Sequence, residues 1–131
     1  FFTALEDSEL VASVDVPLDG AGSAYAKLFN PASRYAIVGA CAKVSVANGV
    51  CAAASVAVGG LTPKATAAPS VGAALVGKAL TAANIAAAAA EVANDLGEDV
   101  MGDIHASEAY RRAMAPVYVE RALSKAAERA G

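Results

Sequence analysis

The stretch YAIVGACAKVSVANGVCAAASVAV, residues 35–58, decides the fold, because small and β-branched side chains alternate on both sides of Asn48-Gly49. Such a dipeptide readily adopts the positive φ angles of a type I′ turn, which joins two antiparallel strands. The pattern therefore predicts a long β-hairpin, with one strand over residues 35–47 and the other over residues 50–58.

Two cysteines lie on the two predicted strands of this hairpin, at Cys41 and Cys51. A two-residue turn places Cys51 opposite Val46 and Cys41 opposite Val56, so the thiols do not face each other. This geometry disfavours a disulfide, and two buried free thiols in a reducing cytosol are expected instead. A Cys/His metal site is not expected either, because His105 is the only histidine.

Two shorter segments ahead of the hairpin also alternate like strands. Residues 10–16 carry alternating apolar side chains, and Pro17 ends this run. Residues 23–29 form a second alternating segment, which Asn30-Pro31 ends. One face of that strand is predicted to carry Ala24, Ala26 and Leu28, and the other Tyr25, Lys27 and Phe29.

Beyond Gly59-Gly60 the apolar period changes from that of a strand to that of a helix. We predict a helix over residues 64–76, interrupted near Pro69, and a second over residues 81–96 with Thr81 as its N-cap.

The last helix follows a linker over residues 97–106 and is predicted to be capped by Ser107. Proline lacks an N–H and crowds the carbonyl four residues earlier, so Pro116 predicts a kink or a break in this helix. Strands precede helices along the chain, which indicates an α+β fold: a small antiparallel sheet of three to four strands with about three helices packed on one face.

Length and composition favour one domain, residues 1–131, with a core of small side chains, since 56% of the residues are hydrophobic and tryptophan is absent. The formal charge of −3 gives no reason to expect a nucleic acid partner. The uncharged run over residues 44–63 contains Asn-Gly and Gly-Gly pairs, so a hairpin is expected rather than a membrane span. The start at Phe1, without an initiator methionine, suggests a piece of a larger protein.

The segment from Asp19 to Lys27 first suggests a phosphate-binding loop, because it contains Gly20 and Gly22. A dinucleotide fingerprint needs a third glycine and a helix that begins at the loop. Tyr25 stands where the third glycine would be, and the residues that follow alternate like a strand. The segment is therefore predicted to be a turn between two strands.

Side chains suited to acid/base chemistry are few. His105 lies between Asp103 and Ser107, and a set so close in sequence is typical of a hydrogen-bonded helix start rather than a catalytic triad. Arg111 and Arg112 could hold an anion or a partner, but adjacent arginines on a terminal helix are more often solvated. No self-contained active site is predicted, so the isolated chain is not expected to be catalytic.

Several segments together, in order along nearly the whole chain, carry a family resemblance. They are SELVASVDVP, GSAYAKLFNPASRYAIVGACAKV, GVCAAASVAVGGLTPKATAA, AALVGKALT and DIHASEAYRRAMAPVYVERAL. This set resembles the C-terminal domain of the FAD-binding medium subunit of molybdenum hydroxylases, the family of bacterial carbon monoxide dehydrogenase and xanthine oxidase. The resemblance implies the same α+β fold that the order of elements predicts.

The resemblance also implies a flavoprotein function in the bacterial cytoplasm. Such subunits carry electrons through FAD, between iron–sulfur clusters and an external acceptor. The implied partners are an N-terminal FAD-binding domain, an iron–sulfur small subunit and a molybdopterin large subunit. The nucleotide is held mainly by the N-terminal domain in that family, so this chain alone is not expected to retain FAD.

Four positions match the family's flavin contacts. The resemblance implies that Lys27 lies near the isoalloxazine ring, where a cation favours the anionic reduced flavin and raises its potential. Tyr35 is implied to cover the ring, and Val11, or Leu10 one register away, to make a backbone contact. Relatives often carry Gly-Asp before the covering residue, whereas Arg34 replaces the acid here.

Two other functions stay open from the residues alone. The alanine-rich helices and the Arg111 and Arg112 pair could form the docking face of a structural or interaction domain that binds no flavin. An independent nucleotide-binding protein would rest on Gly20 and Gly22 alone.

Overall fold

The computed structural model describes residues 3–16 and 18–130 of the chain. A four-stranded antiparallel sheet, in the spatial order β1-β2-β3-β4, packs one face against two of the three helices, and the remaining helix packs on those two, which confirms the predicted α+β fold. The elements are β1 (Gly22–Phe29), β2 (Ala36–Ala47), β3 (Val50–Gly59), β4 (Thr66–Ala67), α1 (Pro69–Leu75), α2 (Ala82–Ala90), a 3₁₀ turn (Glu91–Asn94) and α3 (Glu108–Ala127).

The β2–β3 hairpin turns at Asn48-Gly49, where both residues have positive φ angles of 53° and 78°, as predicted. Cys51 pairs with Val46, but a bulge between Ser45 and Val46 shifts the register beyond that point. Cys41 therefore faces Ala57 rather than the predicted Val56. The extra residue of a bulge is not visible in an alternating pattern.

Both thiols are free, as predicted, but only one of them is buried. Cys51 lies in the core, where burial raises the pKa of its thiol. Cys41 is exposed, so the expectation of two buried thiols is wrong for this residue. Cys41 lies on the face of the sheet that the helices leave uncovered.

The two faces of the sheet differ completely in what covers them. The inner face consists of small and β-branched side chains that pack against α1 and α3. Gly22 lets α3 approach closely, because a Cβ atom there would overlap the backbone carbonyl of Ala126. The outer face carries Tyr25, Lys27 and Cys41, which are exposed.

The first two helices begin in different ways. Residues 64–76 do not form one helix: Thr66–Ala67 forms β4, and α1 begins at Pro69, which occupies the first turn, where a missing N–H costs nothing. The predicted N-cap Thr81 is confirmed, since its hydroxyl accepts a hydrogen bond from the N–H of Asn84.

The N-cap of α3 at Ser107 is also confirmed, because its hydroxyl accepts a hydrogen bond from the N–H of Tyr110. Of the kink or break predicted at Pro116, the break is wrong, because α3 continues through that residue. Ala115 and Val119 on either side of it are fully buried, and this packing outweighs the one backbone hydrogen bond that proline removes.

The predicted first strand, residues 10–16, is also wrong: no strand is present there and every side chain is exposed. Leu10 is 77% exposed and Val11 is 63% exposed. Alternation supplies a face suited to a sheet, but a strand also needs a neighbour that accepts its backbone hydrogen bonds. The predicted end of this strand at Pro17 lies outside the described residues.

No helix within residues 3–16 and 18–130 is long and apolar enough to cross a membrane. Most of the uncharged run over residues 44–63 lies in the β2–β3 hairpin, as predicted.

Candidate functional site

Lys27 and Tyr35 lie at the same cavity, which opens on the outer face of the sheet and has a volume of about 300 Å³. Lys27 projects from β1, and Tyr35 immediately precedes β2. The structure therefore brings these two residues together, although they are eight positions apart in sequence. The full lining is Tyr25, Lys27, Ser33, Arg34, Tyr35 and Ala36.

The loop that carries Tyr35 is closed by hydrogen bonds from Asn30. The side-chain Oδ1 of Asn30 accepts hydrogen bonds from the N–H groups of Ala32 (2.9 Å) and Ser33 (3.1 Å). The N–H of Asn30 donates to the carbonyl of Tyr35 at 2.9 Å. Tyr35 is consequently anchored by its backbone, while its side chain is 80% exposed.

Arg34 connects this loop to Lys27. The Nζ atom of Lys27 donates a hydrogen bond to the carbonyl oxygen of Arg34 at 2.9 Å. Arg34 has a φ of +64°, and its guanidinium lies 4.6 Å from the centre of the Phe29 ring. The main-chain carbonyl of Arg34 thus anchors the Lys27 ammonium to the loop that carries Tyr35.

Arg111 lies on the inner side of the same region and is only 4% exposed. Its Nη1 atom donates to the carbonyls of Ile37 (2.7 Å) and Gly60 (2.9 Å), and its Nη2 atom donates to Asp103 at 2.6 Å. The solvated interpretation of this arginine is therefore wrong. Its carbonyl partners lie 74 and 51 positions away, so no local sequence signal could have found them.

Arg112 behaves differently, because it stays on the surface and pairs with Glu108 along α3. Because Arg111 is buried and Arg112 is on the surface, the two guanidinium groups cannot lie together on one docking face. The interaction-domain hypothesis thus loses one of its two supporting features, the arginine pair, and keeps only the alanine-rich helices.

Asp103 is held by backbone donors in the loop before α3. It accepts hydrogen bonds from the N–H groups of His105 (2.8 Å) and Ala106 (3.0 Å). These two donors, and then Arg111, lower the pKa of its carboxyl group. These bonds and the Ser107 cap confirm the prediction of a hydrogen-bonded helix start. Within residues 3–16 and 18–130, no group of three His, Cys, Asp or Glu side chains that could hold a metal ion is present.

The suspected phosphate loop leads into a strand rather than a helix, as predicted, but no strand precedes it within residues 3–16, so the predicted turn between two strands is wrong. Gly20 has a φ of +74°, and Gly22 begins β1 rather than a helix. Asp19 forms an ion pair with Lys43 of β2, which lowers the pKa of the Asp19 carboxyl. Because a strand follows the loop, it lacks the helix N-terminus that holds a phosphate in a dinucleotide-binding loop.

Leu10 and Val11 are not part of the Lys27–Tyr35 cavity. Both lie on the unpaired segment of residues 10–16, and neither lines the cavity. The structure unites two of the four predicted flavin contacts and leaves the other two apart.

A family model identifies the class of domain to which this fold belongs. Residues 23–126 match the family described as the CO dehydrogenase flavoprotein C-terminal domain. The chain belongs to this family.

Individual relatives agree with the family. The carbon monoxide dehydrogenase medium chain of Afipia carboxidovorans is 33% identical over 134 residues, which cover 99% of this chain and 45% of that protein. Quinoline 2-oxidoreductase of Pseudomonas putida 86 is 31% identical with a TM-score of 0.88, over 98% of this chain and 45% of that one. CO dehydrogenase of Oligotropha carboxidovorans is 31% identical with a TM-score of 0.83, over the same shares. The chain thus spans less than half the length of these relatives.

Proposed function

We propose that residues 1–131 form the C-terminal domain of an FAD-binding medium subunit of a molybdenum-hydroxylase-type oxidoreductase, and that its outer sheet face covers the flavin ring. The observation that carries this proposal is the cavity in which an exposed cation and an exposed aromatic side chain, Lys27 and Tyr35, lie side by side. FAD, when bound, supplies the transfer of electrons between iron–sulfur clusters and an external acceptor.

The residues of the cavity fit a flavin ring. A planar ring needs a flat surface to approach, and the residue across β2 from Lys27 is Gly39, which has no side chain. An electron-rich ring is favoured by a nearby cation, and no acidic side chain lines the cavity. A lysine and an aromatic ring, with no acidic side chain beside them, together suit a conjugated ring that gains negative charge on reduction.

Lys27 and Tyr35 have separate roles in this proposal. The ammonium of Lys27 stabilises negative charge on the reduced ring and so raises the reduction potential. The ring of Tyr35 stacks on the flavin and excludes water from it. The hydrogen bond from Lys27 to Arg34 fixes both groups relative to one loop.

Leu10 and Val11 remain proposed backbone contacts to the flavin. They lie on a segment with no sheet neighbour in the described part of the chain. We assign this contact to the assembled subunit, in which a preceding domain holds the segment.

The proposed partners follow from the family. They are an N-terminal FAD-binding domain, which holds the pyrophosphate, an iron–sulfur small subunit and a molybdopterin large subunit, in the bacterial cytoplasm. The name of one relative, a carbon monoxide dehydrogenase medium chain, supports an assembly that contains other subunits.

FAD binding by the parent subunit tests the proposal. Tyr35→Ala and Lys27→Ala are each expected to raise the dissociation constant for FAD about three- to tenfold, the range of one aromatic or one charged contact. Tyr110→Ala is the matched control, because Tyr110 is a half-exposed tyrosine on α3, on the opposite side of the sheet. Unchanged FAD binding in both site variants would contradict the proposed function.

A further inference from the structure

We propose that Tyr25 is a further cofactor-contact residue, which forms a second aromatic wall beside the flavin ring. This inference rests on the proposed function and adds a residue to the same site. Neither the family contacts nor the sequence pattern assigns a role to this side chain.

Tyr25 shares the outer face of β1 with Lys27, two residues away. Two residues of a strand span about 7 Å, roughly the width of two fused aromatic rings. Tyr25 lines the same cavity as Lys27 and Tyr35 and is 58% exposed. A ring that contacts Lys27 therefore has an aromatic side chain within reach on either side.

Gly39 explains why the ring of Tyr25 leans toward Lys27. Tyr25 pairs with Cys41, but its ring lies across Gly39, the residue that pairs with Lys27. A Cβ atom at Gly39 would overlap the phenol oxygen and lie 3.1 Å from ring atom Cζ. The absence of a side chain at Gly39 is thus what allows Tyr25 to lie flat against the sheet.

The surface beyond this ring is open. Gly39 pairs in turn with Gly59 of β3, and nothing lies within 4 Å of the position that a Cβ atom would take there. Lys27, Gly39 and Gly59 therefore form one row across three strands in which only the lysine has a side chain. The Tyr25 ring covers the buried Gly39, so the face beside Lys27 consists of an aromatic ring with the bare backbone of Gly59 beyond it. Such a flat surface suits the stacking of a planar conjugated ring.

The test measures the dissociation constant for FAD in the parent subunit, with two variants that act on Tyr25 differently. Tyr25→Leu removes the ring, and Gly39→Ala displaces it without changing Lys27 or Tyr35. Both are expected to raise the dissociation constant about three- to tenfold. Tyr25→Phe keeps the ring and is expected to stay within about twofold of the parent.

Tyr110→Leu serves as the control for loss of an exposed tyrosine, and circular dichroism confirms that each variant is folded. The inference is overturned if Tyr25→Leu and Gly39→Ala both bind FAD like the parent while Tyr35→Ala binds it more weakly. If Tyr35→Ala and Lys27→Ala also bind like the parent, the proposed function fails, and the role of Tyr25 fails with it.

Discussion

The two faces of the same sheet are shaped by different physical demands. On the inner face, Val38, Val44 and Val58 are buried under helices, and burial of apolar area determines each residue. On the outer face, Tyr25 and Lys27 remain exposed, and stability gives no reason for either. Substitutions on the inner side should therefore change folding, and substitutions on the outer face should change cofactor binding.

The largest expected effect is the loss of Arg111, which holds the ends of β2 and β3 from the inner side. Arg111→Met leaves the carbonyls of Ile37 and Gly60 without a donor and should lower the free energy of unfolding by about 3 kcal/mol. Urea denaturation measures this change. Arg112→Met is the matched control, and its exposed pair with Glu108 should contribute less than about 1 kcal/mol. Equal losses in the two variants would contradict the assignment of Arg111 as a buried anchor.

A second comparison makes the same substitution on each face. Gly22→Ala introduces a methyl group against the backbone of α3 and should cost about 1–3 kcal/mol, because the helix must shift. Gly39→Ala meets only the movable tip of Tyr25 and should cost less than about 1 kcal/mol. Urea denaturation of both variants measures the two changes in the free energy of unfolding. The contrast between the faces is wrong if Gly39→Ala is the more destabilising of the two.

The smallest expected effect is a pH dependence that arises from Asp103. The pKa of its carboxyl is lowered in the folded state, so its stabilising contribution is complete above its ordinary value of 3.8 and is lost as the pH falls below that value. Asp103→Asn should therefore show a smaller drop in melting temperature between about pH 6 and pH 3 than the parent chain. A drop as large as that of the parent chain would show that Asp103 does not stabilise the fold as a carboxylate.

The features that depend on local sequence patterns were predicted correctly. The Asn48-Gly49 turn, the alternation of residues 23–29 and the caps at Thr81 and Ser107 depend on near neighbours, and all are confirmed. These features are visible in sequence because turn and cap preferences act over a few residues.

The wrong predictions concern features that depend on long-range contacts. Residues 10–16 alternate but lack a sheet neighbour, and only the tertiary fold brings the carbonyls of Ile37 and Gly60 close to Arg111. Pro116 is tolerated because packing on both sides of it holds α3 together. Each of these depends on distant parts of the chain, and a local pattern contains no information about them.

The site was predicted in part. Lys27 and Tyr35 came from a family resemblance, and the structure brings them to one cavity. The lean of Tyr25 over Gly39 and the anchoring of Lys27 by Arg34 had no sequence signal, because both depend on the register of β1 against β2 and on the loop that joins them.

The reduction potential of the flavin in the parent subunit tests the central claim most directly. Lys27→Gln keeps a hydrogen-bond donor near Arg34 but removes the charge, and should shift the potential by roughly 30 mV to more negative values, as expected for a two-electron couple that loses about 1.4 kcal/mol of stabilisation. Lys43→Gln is the control, because Lys43 lies on the same face, four residues along β2 from Gly39, and pairs with Asp19. A negative shift in Lys27→Gln alone is the predicted result, and equal potentials in the parent and both variants would contradict the claim that this face covers the flavin.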